Sequence, residues 1–161
     1  MAKRAIVMYL EQARIYGEDL SVTRSEVLLT KPDGKAVLPH NRIVTKADNK
    51  TMGESFLNEL IYVLGAGANE PRQLPFNREV LVYTSNENDS DNYRTYLNAV
   101  NTGTTCPVHN FKLCQRLRRL CGYRLTFSQN SLLGTSVRND AMTELYAQIK
   151  ERGSKEDASR E

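Results

Sequence analysis

Three β-prone runs crowd the first third of this chain, and helix-patterned and strand-patterned segments alternate after them. That order constrains the fold more than any single residue does. Strands joined by short turns pair antiparallel, whereas strands separated by a helix are brought side by side parallel. A chain with both builds a mixed sheet with helices packed on its faces. The first run, Ala5 to Leu10, is apolar and ends on the acid Glu11. A second covers Val22 to Thr30. Lys31-Pro32-Asp33-Gly34 then sets proline, Asp and glycine in turn order. Lys35 to Leu38 and Arg42 to Lys46 read as the return strand, broken near Pro39.

Thr51 followed by Glu54 has the pattern of a capping box. Phe56, Leu57, Leu60, Ile61 and Leu64 then share one helix face, and Gly65 and Gly67 end the helix. Residues 68–78 read as a polar loop. Glu79 to Thr84 is the strongest strand in the chain. Ser85 to Asp91 is acidic and reads as loop. Asn92 to Val100 forms a short helix packing through Tyr93, Tyr96, Leu97 and Val100. After a loop, Val108 to Cys121 is a basic amphipathic helix with Leu113, Leu117 and Leu120 on its inner face, closed by Gly122. Tyr123 to Phe127 is the fifth strand. Arg138 to Lys150 is the last helix, with Met142, Leu145, Tyr146 and Ile149 inward. Residues 152–161 are nearly all charged or small and are expected to fray as a disordered tail on a 1–151 domain.

The length of 161 residues suits one domain. With 22 Lys and Arg against 19 Asp and Glu, net charge is +3, so a nucleic-acid surface must come from local clustering. Cys106, Cys114 and Cys121 contain no Cys-x-x-Cys, and His40 and His109 are the chain's two histidines, which argues against zinc. Reduced, mostly buried thiols are expected. No apolar run approaches the ~20 residues of a membrane helix, and the short apolar stretch after Lys3-Arg4 is no signal-peptide core. A cytoplasmic protein is expected, without a membrane partner.

The element order, and the segment Val108-His109-Asn110-Phe111-Lys112-Leu113-Cys114-Gln115-Arg116-Leu117, resemble ribonuclease H. Bacterial members have a helix beginning Val-x-Asn-x-x-Leu-x-Gln-Arg-Leu, with a glycine before the fifth strand, where Gly122 falls. Glu79 to Thr84 is similar to the family's fourth strand, and the first strand ends on an acid in both. The resemblance runs from about residue 5 to about residue 150 and implies an α/β fold, a mixed five-stranded sheet with three antiparallel strands first. It also implies a chemistry in which two magnesium or manganese ions, ~3.5–4 Å apart, activate water against an RNA phosphodiester. By position, the family's four acids fall at Glu11, Glu54, Ser85 and Thr143, so two of the four are substituted. Glu11 and Glu54 are the implied metal ligands, with Asp89, Asp91 or Asp140 as candidates to make up the loss. The family's mobile Gly-His loop falls near Leu132-Leu133, without a histidine.

Each acid also has an ordinary explanation: Glu54 as capping-box glutamate, Glu11 as a solvent-facing strand end. The basic helix carries a second signal. Lys112, Arg116 and Arg119 share a face opposite the leucine stripe, and no acid lies between Lys112 and Arg124. Such a face suits a phosphate backbone. Asn49, Lys50 and Thr51, ahead of the first helix, match the place where the family touches a strand backbone. The basic handle of many bacterial members is missing: Asn98 to Pro107 is short and uncharged, and the chain has no Trp. Three functions remain open on this reading. The chain binds RNA or an RNA–DNA hybrid without efficient cleavage, or it is a magnesium-dependent ribonuclease H with unusual ligands, or it is a scaffold for a protein partner. Its small, divergent, tail-bearing form suggests a virus or mobile element, with a host cytoplasm as its location.

Overall fold

The structure, a computed structural model, describes residues 5–15, 18–27, 39–64, 79–104, 108–121, 125–129 and 132–160. Five strands, β1 (Ala5–Arg14), β2 (Ser21–Val27), β3 (His40–Val44), β4 (Glu79–Thr84) and β5 (Leu125–Gln129), form one sheet in the order β3-β2-β1-β4-β5. β1 pairs antiparallel with β2 and β2 with β3; β4 is parallel to both β1 and β5. This is the mixed sheet expected from the element order. Four helices accompany it: α1 (Asn49–Leu64), α2 (Glu87–Thr102), α3 (Phe111–Cys121) and α4 (Leu132–Arg160).

Side chains alternate across the sheet, and the two faces bury different sets. Met8, Leu10, Val80, Val82, Leu125 and Phe127 pack with Phe56, Leu57 and Leu60 of α1, Tyr93 of α2 and Leu117 of α3. On the other face, Ala13, Leu20 and Val22 pack with Ala141 and Leu145 of α4. β1 is therefore buried on both sides, as a central strand must be.

Several boundaries differ from expectation for physical reasons. β1 runs three residues past Glu11, because its pairing with β2 continues to Arg14. The cap of α1 sits at Asp48, not Thr51: Asp48 Oδ1 accepts from the Thr51 amide at 2.8 Å, and Thr51 Oγ1 accepts from the Asp48 amide at 2.7 Å. That reciprocal pair is a capping box with threonine in the glutamate's place, so Glu54 is not the capping residue. α2 begins at Glu87, inside the expected loop. Asn86 caps it by accepting from the Asp89 amide, and Glu87 and Asp89 complement the positive helix N-terminus. The same acids that read as loop are first-turn residues. α3 starts at Phe111, not Val108, after Asn110 takes a left-handed turn at φ 58. β5 continues two residues past the expected end, to Gln129, and Tyr123 and Arg124 lie outside the described residues. α4 begins at Leu132, where a loop was expected, and its helical span extends to Arg160. The turn at Lys31 to Gly34, the strand at 35–38, Gly65, Gly67, the 68–78 loop, Cys106 and Gly122 lie outside the described residues.

Candidate functional site

Parallel register brings the first candidate pair together. Tyr9 of β1 stands beside Tyr83 of β4, so two residues further on Glu11 meets Ser85. The Ser85 amide donates to Glu11 Oε1 at 2.9 Å, and the Ser85 hydroxyl donates to Glu11 Oε2. Both carboxylate oxygens thus hold a donor from one residue. Glu11 is 1% exposed, which removes the reading of a solvent-facing strand end. By strand alternation it shares the α4 face with Ala13. Directly across β2 stands Arg24, whose guanidinium donates to Asn41 Oδ1 at 3.0 Å and lies 4.0 Å from Asp140 of α4.

Gln12 turns to the opposite face and ties three elements. Its Nε2 donates to Thr23 Oγ1 at 3.0 Å and to the Met52 carbonyl at 2.8 Å, while its Oε1 accepts from Asn86 Nδ2 at 2.6 Å. Asn86 also donates to Asp89 Oδ2 at 2.6 Å. Asp89 lies against Gly53 of α1, where an added Cβ would stand 2.8 Å from its Oδ1. Burial raises the Asp89 carboxyl above its ordinary value, against opposing pulls from the Asn86 hydrogen bond and from His109. These residues floor a cleft of about 710 Å³ that Arg14, Lys50, Asn92 and Asn110 also line. Its lining is rich in side-chain amides, with two cations among them.

A second buried carboxylate lies nearer the sheet's β3 edge. Glu59 of α1 is 0% exposed, and His40 Nδ1 sits 2.6 and 3.0 Å from its two oxygens. Arg42 Nε is 4.0 Å away, and the His40 ring stacks on Tyr62 at 4.3 Å. Burial raises the Glu59 carboxyl, with His40, Arg42 and Ser25 pulling it down. Sequence reasoning missed this cluster. The available signal was a glutamate between Phe56 and Val63, on the apolar stripe of an amphipathic helix.

Solved structures of similar shape carry the decisive comparison. LC9-RNase H1, a type 1 RNase H with the type 2 active-site motif, superposes with a TM-score of 0.58 at 14% identity, covering 92% of this chain and 75% of that one. The N-terminal RNase H domain of Rv2228c from Mycobacterium tuberculosis gives 0.52 at 11% identity, over 90% of this chain and 98% of that one. This chain has the RNase H-like fold. The foamy viral protease-reverse transcriptase, solved in complex with dsDNA, gives 0.58 at 9% identity over 88% of this chain and 94% of that one. No protein-family model and no curated protein sequence matches.

On the RNase H-like frame, the expected acids separate. Glu54 is half-buried on α1, between buried Gly53 and Ser55. Asp89 belongs to the amide-lined cleft. Asp91 pairs with Arg94 at 2.8 Å, and Arg94 donates onward to the Phe127 carbonyl at 2.9 Å. Thr143 is exposed and its hydroxyl donates back to the Asn139 carbonyl at 3.0 Å, whereas Asp140, one turn earlier, is the α4 acid beside Arg24. Among the described residues, no three His, Cys, Asp or Glu side chains are grouped to hold a metal ion. Magnesium demands near-octahedral oxygen ligation, and a two-ion centre needs several converging carboxylates. The described side chains do not make that donor set.

Of the expected nucleic-acid contacts, Lys112, Arg116 and Arg119 are exposed on α3, opposite buried Cys114 and Leu117. Lys50 lines the cleft. Asn49 is the first residue of α1. The Thr51 hydroxyl is occupied by the α1 cap, donating to the Lys46 carbonyl at 2.7 Å. Cys114 is a buried free thiol pushed up to about 11 by burial first and by the Asp89 charge second, so it is not a nucleophile.

Proposed function

We propose that this RNase H-like domain binds RNA or an RNA–DNA hybrid and does not cleave it efficiently. The observation that carries the reading is the Glu11–Ser85 pair. At the fold's first-strand acid, both carboxylate oxygens are taken by the Ser85 amide and hydroxyl. The residue that would supply a second carboxylate is a donor instead. The Arg24 guanidinium, opposite Glu11 in the register, adds a fixed positive charge on that side. Glu11 shares the α4 face and Glu54 stands on α1, which packs against the opposite face, so the two implied ligands for magnesium or manganese do not converge on one ion. Binding rests on Lys112, Arg116 and Arg119 for phosphate contact, with Asn49, Lys50 and Thr51 at the α1 start. Recognition of a hybrid would use its A-form shape and 2′-hydroxyls, with no base code. A similar solved structure, the foamy viral enzyme, is a complex with dsDNA, which supports a nucleic-acid partner for this fold.

The test is an end-labelled RNA–DNA hybrid incubated with magnesium or manganese, with bound and cleaved fractions read in one titration. Salt-sensitive binding without cleavage is expected, weakened in Arg116→Ala and Arg119→Ala. Metal-dependent cleavage that disappears in Glu54→Gln would overturn the reading and make the chain a ribonuclease H. Absence of all nucleic-acid binding at low salt would leave a protein-binding scaffold.

A further inference from the structure

The outer face of α3 carries more than cations. At 3.6 residues per turn, Phe111, Lys112, Gln115, Arg116 and Arg119 fall within an arc of roughly 140°. Phe111 is 53% exposed, and Lys112, Arg116 and Arg119 are exposed beside it. No acid occurs anywhere in α3. An aromatic ring held half in water at the head of three cations is not explained by packing. The ring meets Tyr96 edge-on, with centroids 5.5 Å apart and planes at 86°, and that single ring contact leaves most of it accessible.

The turn that presents Phe111 is braced. The Asn92 side chain accepts from the His109 amide and donates to the His109 carbonyl, each at 2.9 Å. Asn110 then takes its left-handed conformation, and its carbonyl accepts from the Cys114 amide at 3.0 Å. The Phe111 backbone is therefore positioned in advance, which lowers the entropic cost of using its ring as a contact. The amide-lined cleft ends at His109 and Asn110, immediately before it.

We infer that the outer face of α3 binds a single-stranded nucleic-acid segment, with Phe111 stacking on an unpaired base and Lys112, Arg116 and Arg119 following its phosphates. The inference rests on the nucleic-acid reading above and narrows it. Within a duplex, paired bases have their faces covered by their neighbours, so away from the duplex ends an exposed ring finds a stacking partner where a base is unpaired. Basic tracks with interleaved aromatic rings are how sequence-tolerant single-strand binding is built. The preferred partner is then a hybrid carrying a single-stranded extension, not a blunt one. A protein docking on the exposed apolar side chain of Phe111 is the competing occupant, and the absence of acids on α3 favours the polyanion.

The chain contains no tryptophan, so Phe111→Trp introduces a sole indole reporter. Binding is measured for a blunt RNA–DNA hybrid, the same hybrid with an RNA extension, and the same with a DNA extension. The extended forms are expected to bind at least about fivefold more tightly, the factor that one stacked base carries. Phe111→Ala and Phe111→Leu are expected to remove that gain and leave blunt-hybrid binding unchanged. Phe111→Trp keeps it, with emission quenched on binding. The RNA and DNA arms separate the two sugars. Equal binding of blunt and extended hybrids overturns the inference and leaves the hybrid reading standing; failure of all three to bind overturns both. Retention of the gain in Phe111→Leu also overturns it, because an aliphatic side chain of similar bulk cannot stack.

Discussion

Glu11 and Glu59 are both buried in contact with the same sheet, at 1% and 0% exposure, and their surroundings differ in kind. Glu11 is held by a neutral partner, Ser85, one strand over. Glu59 is held by an ionisable one, His40, with Arg42 at 4.0 Å, and it ties the edge strand β3 to α1. In the proposed function Glu11 stands for the family's first-strand acid, whereas Glu59 has no such role and pairs with an ionisable ring. A buried carboxylate therefore says little about catalysis until its partners are named. Glu59 is a clamp between β3 and α1, and Glu11 is an acid whose two oxygens accept from Ser85.

The largest expected effect breaks the clamp. Glu59→Ala strands the His40 ring nitrogen and leaves a cavity beside Phe56 and Val63. Losing the hydrogen bonds of a buried carboxyl and leaving a cavity costs about 2–4 kcal/mol, read as a lower urea midpoint at unchanged slope. A loss below about 1 kcal/mol would mean that His40 finds water in its place and that the clamp is decorative.

Next comes a substitution that reopens Glu11. Ser85→Asp removes the hydroxyl donor and sets a second carboxylate beside the first. Without divalent ions the variant is expected to be less stable than the parent, since an exposed carboxylate at 85 would repel the buried Glu11 charge beside it. Magnesium should then restore it, by about 2.7 kcal/mol at a hundredfold excess over the dissociation constant. Thermal melting with and without magnesium reads this directly. A parent chain that gains as much from magnesium as the variant would show that Ser85 does not close the site.

The fold was legible in the sequence because it depends on element order, and order survives boundary errors. Three adjacent strands followed by alternating helices imply a mixed sheet whichever residue each element starts on, and the order β3-β2-β1-β4-β5 is read from the structure. The candidate site was legible only where register fixes it. Glu11 and Ser85 meet because parallel pairing at Tyr9 and Tyr83 carries two residues further. Asp89 and Asp91 misled for a local reason: an acidic run reads as loop, yet acids favour a helix N-terminus, and Asn86 was the unseen cap. Once α2 starts at Glu87, Asp89 points to the cleft and Asp91 to Arg94, away from Glu11. On α4 it is Asp140, one turn before Thr143, that stands beside Arg24, a phase no single sequence fixes. The His40–Glu59 clamp depends on contact between a strand and a helix far apart in sequence, and only the glutamate on an apolar stripe hinted at it.

A smaller effect separates structural from functional burial at Glu11 itself. Glu11→Gln keeps the volume and one acceptor but loses charge-assisted bonding to the Ser85 amide and hydroxyl. A loss of about 1–2 kcal/mol is expected, the difference between charged and neutral hydrogen bonds plus an imperfect fit. Active-site charges commonly behave the other way, since positions held for chemistry sacrifice stability. A stabilised Glu11→Gln would therefore count against the proposed function and for a retained catalytic carboxylate.

The smallest effect is the pH dependence of the clamp. Burial raises the Glu59 carboxyl above its ordinary 4.5, outweighing His40, Arg42 and Ser25. The folded chain then holds this proton more tightly than the unfolded chain does. Its contribution to stability is full below the unfolded value of 4.5 and is lost as pH rises through the folded-state value. Glu59→Gln has no such proton, so the stability of the parent relative to this variant should fall as pH rises across that window. His40 is the largest pull against burial, so the comparison is repeated in a His40→Asn background, where Arg42 and Ser25 remain to oppose burial and the fall should persist. A gap that instead widens with pH, in both backgrounds, would mean that the paired charges outweigh desolvation and that Glu59 is held ionised.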